Sequence, residues 1–381
     1  MRILHVSTFL QGGAGRIIAA LAIAQRRAGH DVVVVADSGQ HAGYESYPEY
    51  IARLNEAGVP FHTVTSTFTR EVALNVRAVH ELTTLLGARA VDIAHTHAAI
   101  PTLVARLALS PRGPTPLLQT MHGWGIRKTP EQAATDITLL GLADAVVTPS
   151  AAARDTMLTL GLRATPIHVV PYGLDDQPAR QAPDAEDGGV FERLRASGAS
   201  VVLCIGTIGE RKNQALLVRA LASLDRVAAV FIGDGDAAPL MALAHQLGVA
   251  PRVHVLGYRG DASRYLPLAD ALILPSRNEG LPIVVLEALR AGVPVVGSSI
   301  PEIAEAVEEG RTGFLFAPDE TASLTAALAR ALAPESRAGM RAHARQAFER
   351  RYRADRMHAA YDQIYAQLRH QTCSAGHQHV Q

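Results

Sequence analysis

Two carboxylates eight residues apart, Glu279 and Glu287, flank the start of an apolar helix-length run in LILPSRNEGLPIVVLEALRAG, residues 272–292. Glu287 stands between Leu286 and Ala288, where a helix ordinarily carries another hydrophobe. Burying it costs about 3 kcal/mol unless a hydrogen-bonding partner is supplied. A polyhydroxylated ligand would supply one. Gly280 admits a close approach, and the leading amides of Leu281, Ile283 and Val284 lack partners inside a helix that has Pro282 in its first turn. Such amides suit a phosphate or a developing oxyanion. An ordinary crossover with one snorkelling and one exposed glutamate fits the same residues, and the pair alone leaves both readings open.

Other candidates follow strand-like runs. Arg211 and Lys212 in GTIGERKN, residues 206–213, are suited to holding a diphosphate and absorbing the charge of a departing nucleoside diphosphate, as a bound Mg²⁺ would. A solvated Arg-Lys loop is the plainer alternative. His122, before Gly123 and Trp124, can hydrogen-bond a sugar hydroxyl or serve a developing charge, although a lone histidine is more often structural. Gly12, Gly13, His97 and the run Gly233-Asp234-Gly235 complete the set. Cys204 and Cys373 form no metal or disulfide pattern, and among sixteen histidines only His95/His97 and His377/His379 approach ligand spacing, so no metal site is expected. Neither an acyl-transfer triad nor a P-loop is present.

The elements that must carry these loops alternate. Residues 3–6 read as a buried strand, 7–15 as a glycine-bearing loop, 17–27 as an Ala-rich helix and 31–36 as an unbroken apolar strand covered on both faces of a parallel sheet. The opening is similar to a dinucleotide fold, but its glycines do not follow G-x-G-x-x-G and no acidic residue is placed to hold a ribose, which argues against a dehydrogenase. Helices are expected over 52–57, 71–86, 102–108 and 151–160, the last N-capped by Ser150, with strands at 61–64, 93–95, 117–119, 145–148 and 167–170. Between 176 and 198 the composition turns to Pro, Ala, Asp, Gln and Gly, which predicts an interdomain connection with one short helix. A second strand series follows at 201–205, 229–232, 253–256, 271–274, 293–296 and 313–316.

The expected fold is therefore α/β, with two doubly wound, Rossmann-like parallel-sheet domains, 1–175 and 199–340, facing across a cleft. Closing helices over 341–370 and a disordered tail, 371–381, would complete it. Arg341, Arg345, Arg350, Arg351, Arg353 and Arg356 make the closing helices basic; a solvated face is expected, with an anionic membrane surface as the alternative.

Length and composition bound the function. A chain of 381 residues exceeds one ordinary core. Thirty-six basic and thirty-six acidic residues cancel, so no global charge favours nucleic acid. No segment approaches eighteen uninterrupted apolar residues, and the start MRILHVSTF has no signal-peptide pattern, so a cytoplasmic protein is expected.

The run PSRNEGLPIVVLEALRAGVPVVGSSIPEIAE, residues 275–305, closely resembles the signature of the retaining nucleotide-sugar glycosyltransferases of family 4 (glycosyl transferases group 1), on the GT-B fold. QGGAGR (11–16) resembles that family's glycine loop, VVPYGLD (169–175) its interdomain crossing, GDGDAAPLMALAHQLGVAPRVHVLGY (233–258) its nucleotide-side segment and EEGRTGFLFAPDE (308–320) its last strand. The pattern through Tyr352, Tyr361 and Tyr365 is similar to the helix that returns to the first domain.

The resemblance implies retaining transfer of a sugar from a nucleoside-diphosphate sugar to an acceptor hydroxyl, in the synthesis of cell-envelope polysaccharide, a lipid-linked glycan or another glycoconjugate. It implies no required metal or cofactor, no nucleic-acid partner, and peripheral association with the inner face of the membrane as an option. It implies a catalytic set of Glu279, Lys212, Arg211 and His122, and donor contacts at Gly12, Gly13, Gly206, Thr207, Tyr258, Gly280, Leu281, Pro282, Ile283 and Glu287. In that set Glu287 holds the donor ribose, Glu279 addresses the donor sugar, Lys212 and Arg211 hold the diphosphate, and His122 lies near the transferred sugar. Arg16, His97 and Trp124 fall on the acceptor side, read by loops over 9–16, 39–47, 65–70 and 123–131. One departure stands out: the family commonly has Arg where this chain has Thr207, and Arg211 is the candidate substitute. A GT-B epimerase and a non-catalytic nucleotide-sugar binder are the alternatives.

Overall fold

The computed structural model describes residues 1–37, 47–65, 70–125, 128–176 and 185–378. Parts of the expected acceptor loops (38–46, 66–69, 126–127), of the interdomain connection (177–184) and of the tail (379–381) lie outside the described residues. The chain forms two compact units, Met1–Tyr172 with Met357–Gln381, and Gly173–Arg356.

The first unit alternates strand and helix: β1 (Arg2–Val6), α1 (Gly12–Arg27), β2 (Asp31–Asp37), α2 (Pro48–Glu56), β3 (Phe61–Val64), α3 (Val72–Leu86), β4 (Ile93–Thr96), α4 (Ala99–Leu109), β5 (Leu117–Thr120), α5 (Pro130–Leu140), β6 (Ala145–Thr148), α6 (Ala151–Thr159) and β7 (Ile167–Val169). The strands form one parallel sheet in the order β3-β2-β1-β4-β5-β6-β7. Its order reverses between β1 and β4, whose register sets His5 beside His95. Apolar residues such as Leu4, Val6, Val104 and Leu117 are fully buried against it, each contributing about 1.5–3 kcal/mol of burial. Ser150 caps α6 as expected, its side chain accepting from the Ala153 amide at 3.1 Å.

The second unit continues with α7 (Ala185–Ala196), β8 (Ser200–Ile205), α8 (Gln214–Leu221), β9 (Val227–Ile232), α9 (Ala238–Gln246), β10 (Val253–Gly257), β11 (Ala271–Leu274), α10 (Ile283–Arg290), β12 (Val295–Ser298), α11 (Pro301–Ala304), β13 (Gly313–Phe316), α12 (Thr321–Leu332) and α13 (Pro334–Arg351). Its six parallel strands run β10-β9-β8-β11-β12-β13, reversing between β8 and β11. A last helix, α14 (Ala354–Gln378), leaves this unit and enters the first.

Several expectations change. The glycines of residues 11–16 do not form an open loop: α1 begins at Gly12. The start lies against the preceding chain, and a Cβ on Gly15 would fall 2.5 Å from the Leu10 carbonyl carbon, so only glycine permits that approach. α2 begins at Pro48, a residue suited to the first helical position. Pro282 is the N-cap of α10 rather than part of its first turn. α13 belongs to the second unit, and α14 stays helical to Gln378, past residue 371 where composition suggests disorder. Three of the six arginines of the basic closing segment form exposed ion pairs, as a solvated face would: Arg345 with Asp176 and Glu349, Arg350 with Glu308, and Arg353 with Asp176 and Asp355.

Candidate active site

In the second unit, β8 and β11 are the neighbours at which the sheet order reverses, and ligands of open α/β sheets bind outside such strand ends. The loop after β8 carries Arg211 and Lys212, and the loop after β11 carries Glu279. They meet. Lys212 Nζ donates to Glu279 Oε1 at 2.7 Å, while Arg211 Nη1 lies 3.3 Å from Glu279 Oε2 and donates to the Asn278 carbonyl at 3.1 Å. Glu279 is 9% exposed. Burial pushes its carboxyl up, but the Lys212 and Arg211 charges prevail and hold it below the usual glutamate value. An ionised Glu279 can accept hydrogen bonds or stabilise positive charge; it is not a general acid at neutral pH.

The loop is held by the expected Gly233–Gly235 run and by Gln214 and Asp319, which the sequence did not single out. Gln214 donates from Nε2 to the Thr207 carbonyl at 3.0 Å and accepts from the Gly209 amide at 3.1 Å. The Ile208 amide donates to the Asp234 carbonyl at 2.7 Å, so the Gly233–Gly235 loop lies backbone to backbone on this one. A Cβ on Gly233 would fall 2.1 Å from the Gly206 carbonyl oxygen. Asn213 and Asp319 both adopt left-handed backbone (φ 55° and 62°) and bond to each other at 2.9 Å. Arg277 Nε donates to the same Asp319 oxygen at 2.8 Å, and its amide donates to the Arg211 carbonyl at 2.9 Å. Strained residues that over-determine one another in this way are concentrated at functional sites.

The remaining donor-side candidates surround this cluster in sequence and in part in space. The Lys212 side chain passes over Gly206, where a Cβ would lie 3.1 Å from Lys212 Cε. Leu281, Pro282 and Ile283 are buried at the start of α10, and Glu287 is buried within it at 5% exposure. Thr207 is exposed, and Tyr258, just past β10, is 47% exposed. Glu302 on α11 is a further carboxylate missed from sequence; burial raises its pKa, and the charges of Glu279 and Glu305 add to the effect.

The first unit brings its histidines together. His97 Nδ1 lies 3.1 Å from His122 Nε2, and His97 Nε2 lies 3.0 Å from His5 Nδ1. His5 continues to Gln25 on α1, Gln25 to Tyr365 on α14, and Tyr365 to His95. Burial lowers the pKa of all four histidines, His5 and His122 to about 4. His5, His95 and His97 have nitrogens close enough to surround a metal ion, yet both ring nitrogens of each are already hydrogen-bonded within the protein. Neither nitrogen of His122 is open, since Nδ1 meets the Tyr172 hydroxyl at 2.7 Å. Sequence reasoning missed His5 and Gln25, which look like isolated polar residues in apolar segments; the His-x-His spacing at 95 and 97 was the available signal.

The other first-unit candidates are Gly12, Gly13, Arg16 and Trp124. Gly13 is exposed, while Gly12 and Arg16 are partly buried on α1. Trp124 packs against the core, and the Lys128 ammonium sits 3.5 Å over its ring. Lys128 and Arg70 both pair with the buried Asp136, at 2.7 and 2.8 Å. No helix among the described residues is long and apolar enough to cross a membrane.

Known proteins share this plan. Residues 11–177 match the family described as Glycosyltransferase Family 4, and residues 199–334 match Glycosyl transferases group 1. A D-inositol 3-phosphate glycosyltransferase of Xylanimonas cellulosilytica is 29% identical over 307 residues, covering 72% of each chain. A glycogen synthase of Mycobacterium tuberculosis is 29% identical over 384 residues, covering 90% of this chain and 89% of its own. Among solved structures, Anabaena Alr3699/HepE in complex with UDP superposes with a TM-score of 0.82 at 20% identity, over 96% of this chain and 100% of that one. A glycosyltransferase from Rickettsia africae superposes at 0.81 and 19% identity, over 96% and 98%. With both halves matched and the two parallel-sheet units observed, the chain belongs to the glycosyltransferases of family 4 (glycosyl transferases group 1), with the GT-B fold.

Proposed function

We propose that this glycosyltransferase moves a sugar from a nucleoside-diphosphate sugar to an acceptor hydroxyl, with retention at the anomeric carbon and without an essential metal ion. The observation that carries the reading is the meeting of Lys212 and Arg211 on buried Glu279 at the reversal of the second sheet. An arriving diphosphate offers both cations a better partner than one carboxylate and frees Glu279 to face the donor sugar. Related proteins support the donor class: a relative from Mycolicibacterium smegmatis is named as a GDP-mannose-dependent mannosyltransferase, and HepE is also known in complex with UDP-glucose.

In this mechanism the bond from the anomeric carbon to the diphosphate breaks, and the acceptor oxygen bonds that carbon on the same face. The acceptor proton passes to a diphosphate oxygen. Lys212 and Arg211 stabilise the leaving charge, Arg211 doing so where the family commonly uses Arg at the place of Thr207. Glu279 stabilises the positive charge of the sugar, Glu287 holds the ribose, and the amides of Gly280, Leu281 and Ile283, leading into α10, assist. Residues 1–175 would read the acceptor, with Arg16, His97 and Trp124 on that side, and residues 199–340 the donor. His122 would reach a sugar hydroxyl by exchanging Tyr172 for it at Nδ1.

Thermal unfolding against UDP, GDP, ADP, CDP and dTDP and their sugars, with and without Mg²⁺, tests the donor site. Ligand at a hundred times its Kd stabilises by about 2.7 kcal/mol. One nucleotide should raise the Tm of wild type without Mg²⁺ and leave Lys212→Ala unmoved. A shift that requires Mg²⁺, or that survives in Lys212→Ala, overturns the proposed phosphate site.

A further inference from the structure

The buried polar chain of the first unit can be assigned proton by proton from its midpoint. Gln25 presents Oε1 to His5 Nε2 at 2.7 Å and its amide nitrogen to the Tyr365 hydroxyl at 3.0 Å. An amide oxygen only accepts, so His5 Nε2 carries the proton and His5 Nδ1 is bare. The bare nitrogen must receive from His97 Nε2 at 3.0 Å. His97 Nδ1 is then bare and receives from His122 Nε2 at 3.1 Å, which leaves His122 Nδ1 to receive from Tyr172 at 2.7 Å. On the other side, Tyr365 accepts from Gln25 and donates to His95 Nδ1 at 2.7 Å. His95 Nε2 then donates to Thr120 Oγ1 at 2.8 Å, and Thr120 to the Tyr361 hydroxyl at 3.0 Å.

Neither His5 nor His97 can invert alone: turning either would set two donors face to face at one contact and two lone pairs at the next, each unmade buried bond costing about 1–3 kcal/mol. His122 is held at Nε2 by the bare His97 Nδ1, and His95 by the Tyr365 proton that Gln25 leaves pointing at it. Only reversal of the whole chain, with the Gln25 amide turned over, is equally satisfied. The rings are neutral because burial lowers their pKa values, and no carboxylate joins the chain. An amide cannot take up a proton, so the series holds a tautomer and does not conduct protons through Gln25.

We propose that Gln25 couples His5, His95, His97 and His122 into one common tautomer, Nε2–H with its amide oriented as it is here, and is thereby the positioning residue that presents His122 with an unprotonated Nδ1. The catalytic consequence rests on the reading that His122 lies near the transferred sugar. A ligand group that replaces Tyr172 at that nitrogen must be a donor: a hydroxyl is admitted there, and an ether or carbonyl oxygen is refused.

Protein labelled with ¹⁵N in the histidine rings, observed by two-bond N–H correlation at pH 7, tests this directly. The four buried rings should all give the Nε2–H pattern. Gln25→Leu should release His5, His97 and His122 to mixed tautomers. Tyr365→Phe, which separates Gln25 from His95 alone, should change His95 and leave the other three; it keeps the proposal testable if Gln25→Leu fails to fold. Mixed tautomers or four Nδ1–H rings in wild type, or an unchanged spectrum in either variant, overturns the assignment. In a transfer assay Gln25→Leu should lower kcat about tenfold with the donor KM unchanged. An unchanged kcat overturns the positioning role. Absence of transfer by wild type beside the expected spectra is instead a failure of the donor reading.

Discussion

The two units build the same kind of parallel sheet and finish its reversal point in opposite ways. Between β8 and β11 the second unit gathers two cations on one buried carboxylate; around β1, β4 and β5 the first unit gathers four neutral histidines, three tyrosines, a threonine and a glutamine. Buried charges repay their desolvation poorly, whereas a fully paired neutral network rigidifies its surroundings. Under the proposed function, the contrast separates a place that exchanges partners with an anion from a place that holds still.

Lys212→Ala should break the contrast most severely. Transfer should fall about 10²- to 10³-fold, and stability should fall by about 3 kcal/mol because Glu279 keeps only the half-exposed Arg211. Denaturant unfolding and initial rates measure the two losses. Combining Lys212→Met with Glu279→Gln should restore stability without restoring rate; recovery of rate would show that the ion cluster is structural.

A comparable cut in the first unit should cost stability first. His97→Leu strips a bond from both His5 and His122, and about 3 kcal/mol should be lost in urea unfolding. Nucleotide-induced stabilisation should persist in that variant, since the proposed phosphate site lies in the other unit.

Acid sharpens the comparison. The folded pKa values of His5 and His122 lie near 4, below the ordinary 6.5 of the unfolded chain. Between those values the unfolded chain binds more protons, so stability rises with pH and is lost as pH falls from about 6.5 toward 4. Glu279 is depressed below 4.5, so its contribution is intact above that value and disappears only in stronger acid. Trp124 is the single tryptophan and belongs to the first unit. Its fluorescence change should therefore precede the loss of far-UV circular dichroism on acidification; coincident transitions would contradict the histidine assignment.

The smallest effect is a calibration. Ser150→Ala removes the N-cap of α6 and should cost about 1 kcal/mol in the first unit, with the second unaffected.

These two regions were unequally legible in the sequence. Lys212 and Glu279 could be singled out because each follows an apolar strand that stops at a polar loop, and the family resemblance set them above the plainer reading as solvated loop charges. Of the neutral network only separate members, His95, His97, His122 and the two tyrosines of the last helix, could be read; their connection could not, because His5 and Gln25 are single polar residues inside apolar segments and Gln25 meets Tyr365 across 340 positions. His5 and His95 become neighbours only once β1 pairs with β4 in one register. The strand series itself was plain from the apolar runs, whereas the start of α1 at Gly12 depends on a close approach to Leu10 that no local pattern announces.

The helix α14 carries a consequence for biosynthesis. Tyr361 and Tyr365 complete the hydrogen bonds of Thr120, His95 and Gln25, so the unit begun by the first strand is finished by residues translated after the whole of the second unit. The second unit, continuous from Gly173 to Arg356, has all its residues available earlier. Nascent chains usually mature from the amino terminus onward; here the ribosome delivers a complete second domain before it can release a complete first one.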